Sequence, residues 1–122
     1  MREILFRGKC IDGDKMVYGD LLQYRVYPVI FDKDKEQHEV DASTVGQYTG
    51  LKDKGGKKIF EGDMVTDYGF SFLEGTVVQI DNKWTLIWEE EGEERLSNDK
   101  DWWAHCEVIG NRFDNPELLN NK

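Results

Sequence analysis

The sequence predicts an all-β protein built from small, strongly bent sheets. Short apolar runs recur along the chain, and most are closed by Gly, Asp or Asn turn signals. Side chains alternate within the best-defined run: Trp84, Leu86 and Trp88 share one face while Thr85 and Ile87 take the other. Helix signals are nearly confined to the last residues, where Asn115 caps, Pro116 suits the first helical position and Glu117 faces the positive helix end.

Taken in order, Ile4, Phe6 and the run from Val17 to Tyr24 flank Asp12-Gly13-Asp14, a hairpin signal. Tyr27-Pro28-Val29-Ile30-Phe31 reads as an edge strand, because Pro28 has no N–H to give a ladder. Asp32-Lys33-Asp34-Lys35-Glu36 is a solvated turn. Val40 to Tyr48 is β-branched and small, and Gly50 breaks it. Gly62-Asp63 introduces a strand from Met64 to Tyr68, and Gly69 and Gly75 bracket a loop. Thr76–Ile80 and Trp84–Trp88 are two arms around Asp81-Asn82-Lys83, and the run Glu89–Glu94 turns at Gly92. That order predicts a C-terminal SH3-like barrel followed by a short C-terminal helical turn at Asn115–Leu119, with Ser97–Ala104 open to a second turn. By size the chain is one domain, 1–122, divisible into sub-lobes 1–50 and 51–122.

Twenty-five acidic against sixteen basic side chains give a formal charge of −9. Long-range steering toward duplex DNA or an anionic membrane is therefore repulsive, and no duplex binding is expected at physiological salt. Two cysteines make no disulfide framework, and Ile4-Leu5-Phe6 is too short for a signal-peptide core or a membrane span. A reduced, cytoplasmic protein without membrane attachment is the expectation.

The chemistry-bearing residues are sparse. Cys10, His38, His105 and Cys106 are the soft metal ligands, and none forms the closely spaced pairs that let one turn present two ligands to an ion, so no metal or cofactor is expected. Thiol catalysis needs a convergent imidazole; Cys106 with His38, or Cys10 with His105, would have to be joined by the fold. Gly50 to Lys57 fails as a phosphate loop, since Gly56 stands where that loop needs its Lys and no Ser or Thr follows Lys57. What survives is a locally basic loop, Lys52, Lys54, Lys57 and Lys58 against Asp53, in which Gly55-Gly56 could shape an anion-binding nest of amides; a solvated hairpin tip is the commoner use of such residues. The Glu89–Glu94 run lacks calcium-loop spacing and reads as a solvated tip that discourages edge pairing, with mimicry of a phosphate backbone as the functional alternative. Trp102-Trp103 would place one ring inward and one outward in a strand, so the pair is a candidate interaction anchor as well as core.

Three blocks stand in order along the chain: Phe6-Arg7-Gly8-Lys9 with Ile11-Asp12 and Val17-Tyr18-Gly19, then Thr44–Lys54 with Ile59–Asp63, then Glu107–Asn111 with Asn115–Leu119. Together they resemble the YopX family of small phage and prophage proteins of Gram-positive bacteria. Between Tyr68 and Asp101 the likeness is loose. The resemblance implies a phage or prophage product and brings no catalytic residues with it. The absence of a convergent catalytic motif points to a non-enzymatic interaction or assembly module, and unpaired edges of short strands with a generous aromatic load point to a homo-oligomer. A binder or mimic acting on host nucleic-acid machinery is the alternative, and an enzyme is the least expected class. Lys52, Lys54, Lys57, Lys58, Trp102 and Trp103 are the candidate interaction residues.

Overall fold

The computed structural model describes residues 4–13, 15–24, 26–66, 74–97 and 102–114. The expected helical turn at Asn115–Leu119 lies outside them. The chain divides into two compact units, Met1–Gly50 and Leu51–Lys122, and the regular structure of the described residues is eleven strands with two short 3₁₀ turns.

In the first unit the strands are β1 (Phe6–Lys9), β2 (Met16–Tyr24), β3 (Tyr27–Phe31), β4 (Gln37–Glu39) and β5 (Gly46–Lys52), in sheet order β4-β3-β2-β1-β5 with every pair antiparallel. Val17, Ile30 and Val40 make the core, with Cys10, Leu21 and Val45 packed against it. Gly8 admits this packing, since a Cβ there would stand 3.1 Å from the Val40 Cβ and 3.3 Å from the Ile30 Cδ1. Gly19 is stricter: an added Cβ would fall 1.8 Å from the Phe31 carbonyl oxygen. Only glycine lets the end of β3, and Asp32 after it, come so near β2.

Two expectations are corrected here. β3 is not an edge strand but lies between β2 and β4. Pro28 is tolerated because it stands at the second residue, before the β4 ladder begins at Val29, and its carbonyl still accepts from the Val40 N–H at 3.0 Å. Gly50 does not end its strand. With φ of +85° it is a left-handed residue within β5, which continues to Lys52.

In the second unit the end of β5 runs beside β6 (Lys58–Phe60). β7 (Asp63–Thr66), β8 (Glu74–Ile80), β9 (Lys83–Glu90), β10 (Glu93–Ser97) and β11 (Glu107–Asn111) then form an antiparallel sheet in order β10-β9-β8-β7-β11. A 3₁₀ turn, Trp102–His105, precedes β11. Both tight hairpins carry left-handed residues at their centres, Asp81 and Asn82 at +50° and +65°, and Glu91 and Gly92 at +52° and +79°. Positive φ at both central positions matches the right-handed twist of the flanking strands. Ile59, Val65, Val77, Leu86, Cys106 and Val108 form the core, and Trp84, Trp88, Leu51 and Trp103 pack on it.

Trp84, Leu86 and Trp88 share the face that packs on this core, in keeping with the alternation, while Thr85 on the other face is also buried. No closed barrel forms among the described residues; the sheet is open and ends in β10 and β11. β10 is exposed from Glu93 to Leu96, and its charged side chains suit a solvated edge rather than a barrel seam.

Candidate functional site

The chemistry gathers where β1 ends. Beyond Lys9 the chain stays pinned: the Cys10 N–H donates to the Lys15 carbonyl at 2.8 Å, the Ile11 N–H to the Glu39 carbonyl at 3.0 Å, and Cys10 bridges Val40. Bridged residues share a face, and His38 lies two residues from Val40 on that same face. The fold therefore sets the Cys10 Sγ 4.0 Å from the His38 Nδ1. On the far side of the ring, Nε2 lies 2.9 Å from the Asp32 Oδ2.

Asp32 is positioned by its own turn. Its Oδ1 accepts from the Asp34 N–H at 2.9 Å and the Glu36 N–H at 3.0 Å, and Lys35 closes the turn with φ of +66°. The His38 hydrogen bond above all, with the amides of Glu36 and Asp34, holds the Asp32 carboxyl below the usual aspartate value. An ionised carboxylate only accepts hydrogen bonds, so the imidazole proton belongs on Nε2 and the Nδ1 lone pair faces the thiol. That is the polarity in which an imidazole can take a proton from sulfur.

Cys10 also lines a cleft of about 330 Å³ with Lys9, Ile11, Tyr27, Asp41 and Thr44. One wall is a short 3₁₀ turn, Ala42–Thr44, capped by Asp41, whose Oδ1 accepts from the Ser43 N–H and hydroxyl at 3.0 and 2.9 Å. The Thr44 Oγ1 accepts from the Lys9 N–H at 2.9 Å, fixing that wall against β1. Two of the lining residues are exposed apolar side chains, Ile11 at 41% and Tyr27 at 44%.

The metal expectation counted only soft ligands at short spacing. In the fold, Asp32, Glu36 and His38 bring one donor atom each to within 4.8 Å of one another. Asp32 is already engaged through both oxygens, with two amides and the imidazole. The pairing of Cys10 with His38 was also missed, for each cysteine was matched to the other histidine. Cys106 lies instead in the second core, 1% exposed, and His105 beside it is exposed.

The lysine-rich loop has a different purpose from an anion nest. The Asp53 Oδ1 accepts from the Gly55 and Lys57 N–H groups, each at 2.9 Å, and its backbone carbonyl takes the Gly56 N–H. Its Oδ2 accepts from the Val108 N–H of β11 at 2.9 Å. The amides that could have cradled a foreign anion already hold the protein's own carboxylate. Burial alone pushes that carboxyl up, but the amides of Val108, Lys57 and Gly55, with the Lys57 charge, outweigh it and hold it below the usual value. Lys52, Lys54 and Lys57 are exposed and Lys58 is half-buried. Trp103 is half-buried against the second core, and the Trp102 side chain lies outside the described residues.

The family model described as "YopX protein" matches residues 5–120. No curated protein matches the chain. Among solved structures, the crystal structure of protein EF1440 from Enterococcus faecalis is similar with a TM-score of 0.61 at 22% identity, covering 98% of this chain and 99% of that one. At that identity the likeness is one of fold.

Proposed function

The chain belongs to the YopX family, and from that premise we propose that it is a non-enzymatic interaction module whose first unit docks on a protein surface, in the first place a second copy of the chain. The observation that carries this is where the exposed apolar side chains fall. Among the described residues, Ile4, Ile11, Tyr18, Leu22, Val26 and Tyr27 belong to the first unit, Val26 being 83% exposed, and Leu96 in the second unit stands apart from them in sequence at 57%. Tyr18 and Leu22 lie on one face of β2, while Val26 and Tyr27 sit at the tip of its hairpin with β3. Exposed apolar groups concentrated in this way mark interaction surfaces, and Tyr is enriched in them.

The docking is by face rather than by strand addition. In the first unit, which is the one proposed to dock, the edge strand β4 is only three residues long and carries Glu39. In the second unit one of the two edges, β10, carries Glu93, Glu94 and Arg95 on its exposed run. Short, charged edges resist pairing with another chain. The reading places the protein in the bacterial cytoplasm as a phage or prophage product, supported by its family and by two cysteines left as thiols. A second reading, mimicry directed at nucleic-acid machinery, is favoured by the exposed carboxylates of Glu89, Glu91, Glu93 and Glu94.

Light scattering across a dilution series tests the main proposal. An oligomer that persists in moderate salt and is dispersed by Leu22→Glu with Val26→Glu is the expected result, because apolar burial rather than ion pairing holds it. A monomeric mass at every concentration would overturn self-association.

A further inference from the structure

We propose that Cys10 is a reactive thiol, with His38 as its proton acceptor and Asp32 as the residue that positions His38, and that it takes low-molecular-weight disulfides at the cleft to form a mixed disulfide. This goes beyond the docking role; a partner seated over Ile11 and Tyr27 would cover the cleft, so the reaction is one of the uncovered protein.

Three separate parts of the fold converge on it. Cys10 comes from the end of β1, His38 from β4 and Asp32 from the β3–β4 turn, with 4.0 Å from sulfur to Nδ1 and 2.9 Å from Nε2 to the carboxylate. The carboxylate fixes the tautomer, so the ring offers sulfur a lone pair and not a competing donor. The cleft supplies what an isolated surface thiol lacks, a recess of about 330 Å³ that Cys10 helps to line. Its lining provides an ammonium and a carboxylate, Lys9 and Asp41, and the apolar side chains of Ile11 and Tyr27. A small zwitterionic disulfide such as oxidised glutathione matches that mixture of charge and apolar surface. Cys106 offers no rival site, being buried in the other unit.

The exchange balances without a further reagent. His38 Nδ1 takes the thiol proton as Cys10 Sγ attacks one sulfur of the incoming disulfide. A new S–S bond joins Cys10 to that half, the original S–S bond breaks, and the other half leaves as a thiolate that recovers the proton from His38. Cys10 is oxidised and the departing half is reduced to a free thiol.

The test is the rate of adduct formation with oxidised glutathione at pH 7, read by mass spectrometry on quenched samples of the full chain at high dilution. One equivalent should add, at Cys10, about a hundredfold or more faster than to N-acetylcysteine, which is the low end of what a positioned base contributes. Cys10→Ser should abolish the adduct. His38→Ala should lose the rate advantage, and imidazole added to the buffer should restore part of it, a rescue that a merely structural role would not show. Asp32→Asn should give a partial loss. If the unaltered protein reacts no faster than N-acetylcysteine, the proposal fails without recourse to any variant. It fails equally if His38→Ala, shown folded by circular dichroism, keeps the full rate.

Discussion

The two units contain the same turn used for different ends. In the first, Asp32 opens the β3–β4 connection; in the second, Asp53 opens the connection from β5 to β6. Each carboxylate accepts through Oδ1 from the amides two and four residues on, and each closes a backbone hydrogen bond from its own N–H to the carbonyl four residues on, that of Glu36 or Lys57. Each turn has a left-handed residue at its fourth position, Lys35 at +66° and Gly56 at +86°. The difference lies in the remaining oxygen. The Asp53 Oδ2 is taken by the Val108 amide, a backbone group fifty-five positions away in sequence, whereas the Asp32 Oδ2 faces the His38 ring. A carboxylate bound wholly by backbone is a structural clasp. One bound by backbone on one side and a titratable ring on the other can orient chemistry.

If that distinction is right, Asp53→Ala should be the most damaging change. It strips three amides of their acceptor, one of them the buried Val108 N–H, and should destabilise the second unit by about 3 kcal/mol, readable by denaturant unfolding. Asp32→Ala should cost far less stability and fall instead on Cys10 reactivity. Comparable losses of stability from both would erase the contrast.

Acid should also separate the two. Both carboxyls sit below the usual 3.8, so each contributes stability that is fully present above that value and lost as pH falls through the folded value. The acid loss should be carried mainly by Asp53. Asp53→Asn should flatten the fall in stability below about pH 4, while Asp32→Asn should leave most of it in place.

The smallest effect concerns the β9–β10 hairpin, where Glu94 stands directly opposite Glu89. Like charges paired across strands are unfavourable, so Glu94→Lys should raise stability by about 0.2–1 kcal/mol, fading as salt is added. A destabilising outcome would show that the acidic tip is held by contacts that depend on Glu94.

Sequence alone carried the local physics of this protein. Turn residues marked the hairpins at Asp81-Asn82 and Gly92, though not the one joining β2 and β3, and the alternation from Trp84 to Trp88 showed which side chains of β9 share a face. The lysine-rich loop could be recognised as a Gly-bearing hairpin tip, because glycine's freedom at positive φ is a property of the residue itself. It misjudged β3 and Gly50, where neighbouring strands decide whether a proline or a glycine is tolerated. It also could not show that the loop's amides were already occupied, since the decisive bond joins Asp53 to Val108. The candidate site was further still from view. Asp32 and His38 are six positions apart and could be suspected from one turn, but Cys10 reaches His38 only because β1 and β4 are extended so that Cys10 bridges Val40. Local conformation follows from each residue's own steric and hydrogen-bonding limits. Which thiol meets which imidazole follows from strand register, and register is fixed by burying Val17, Ile30 and Val40 together.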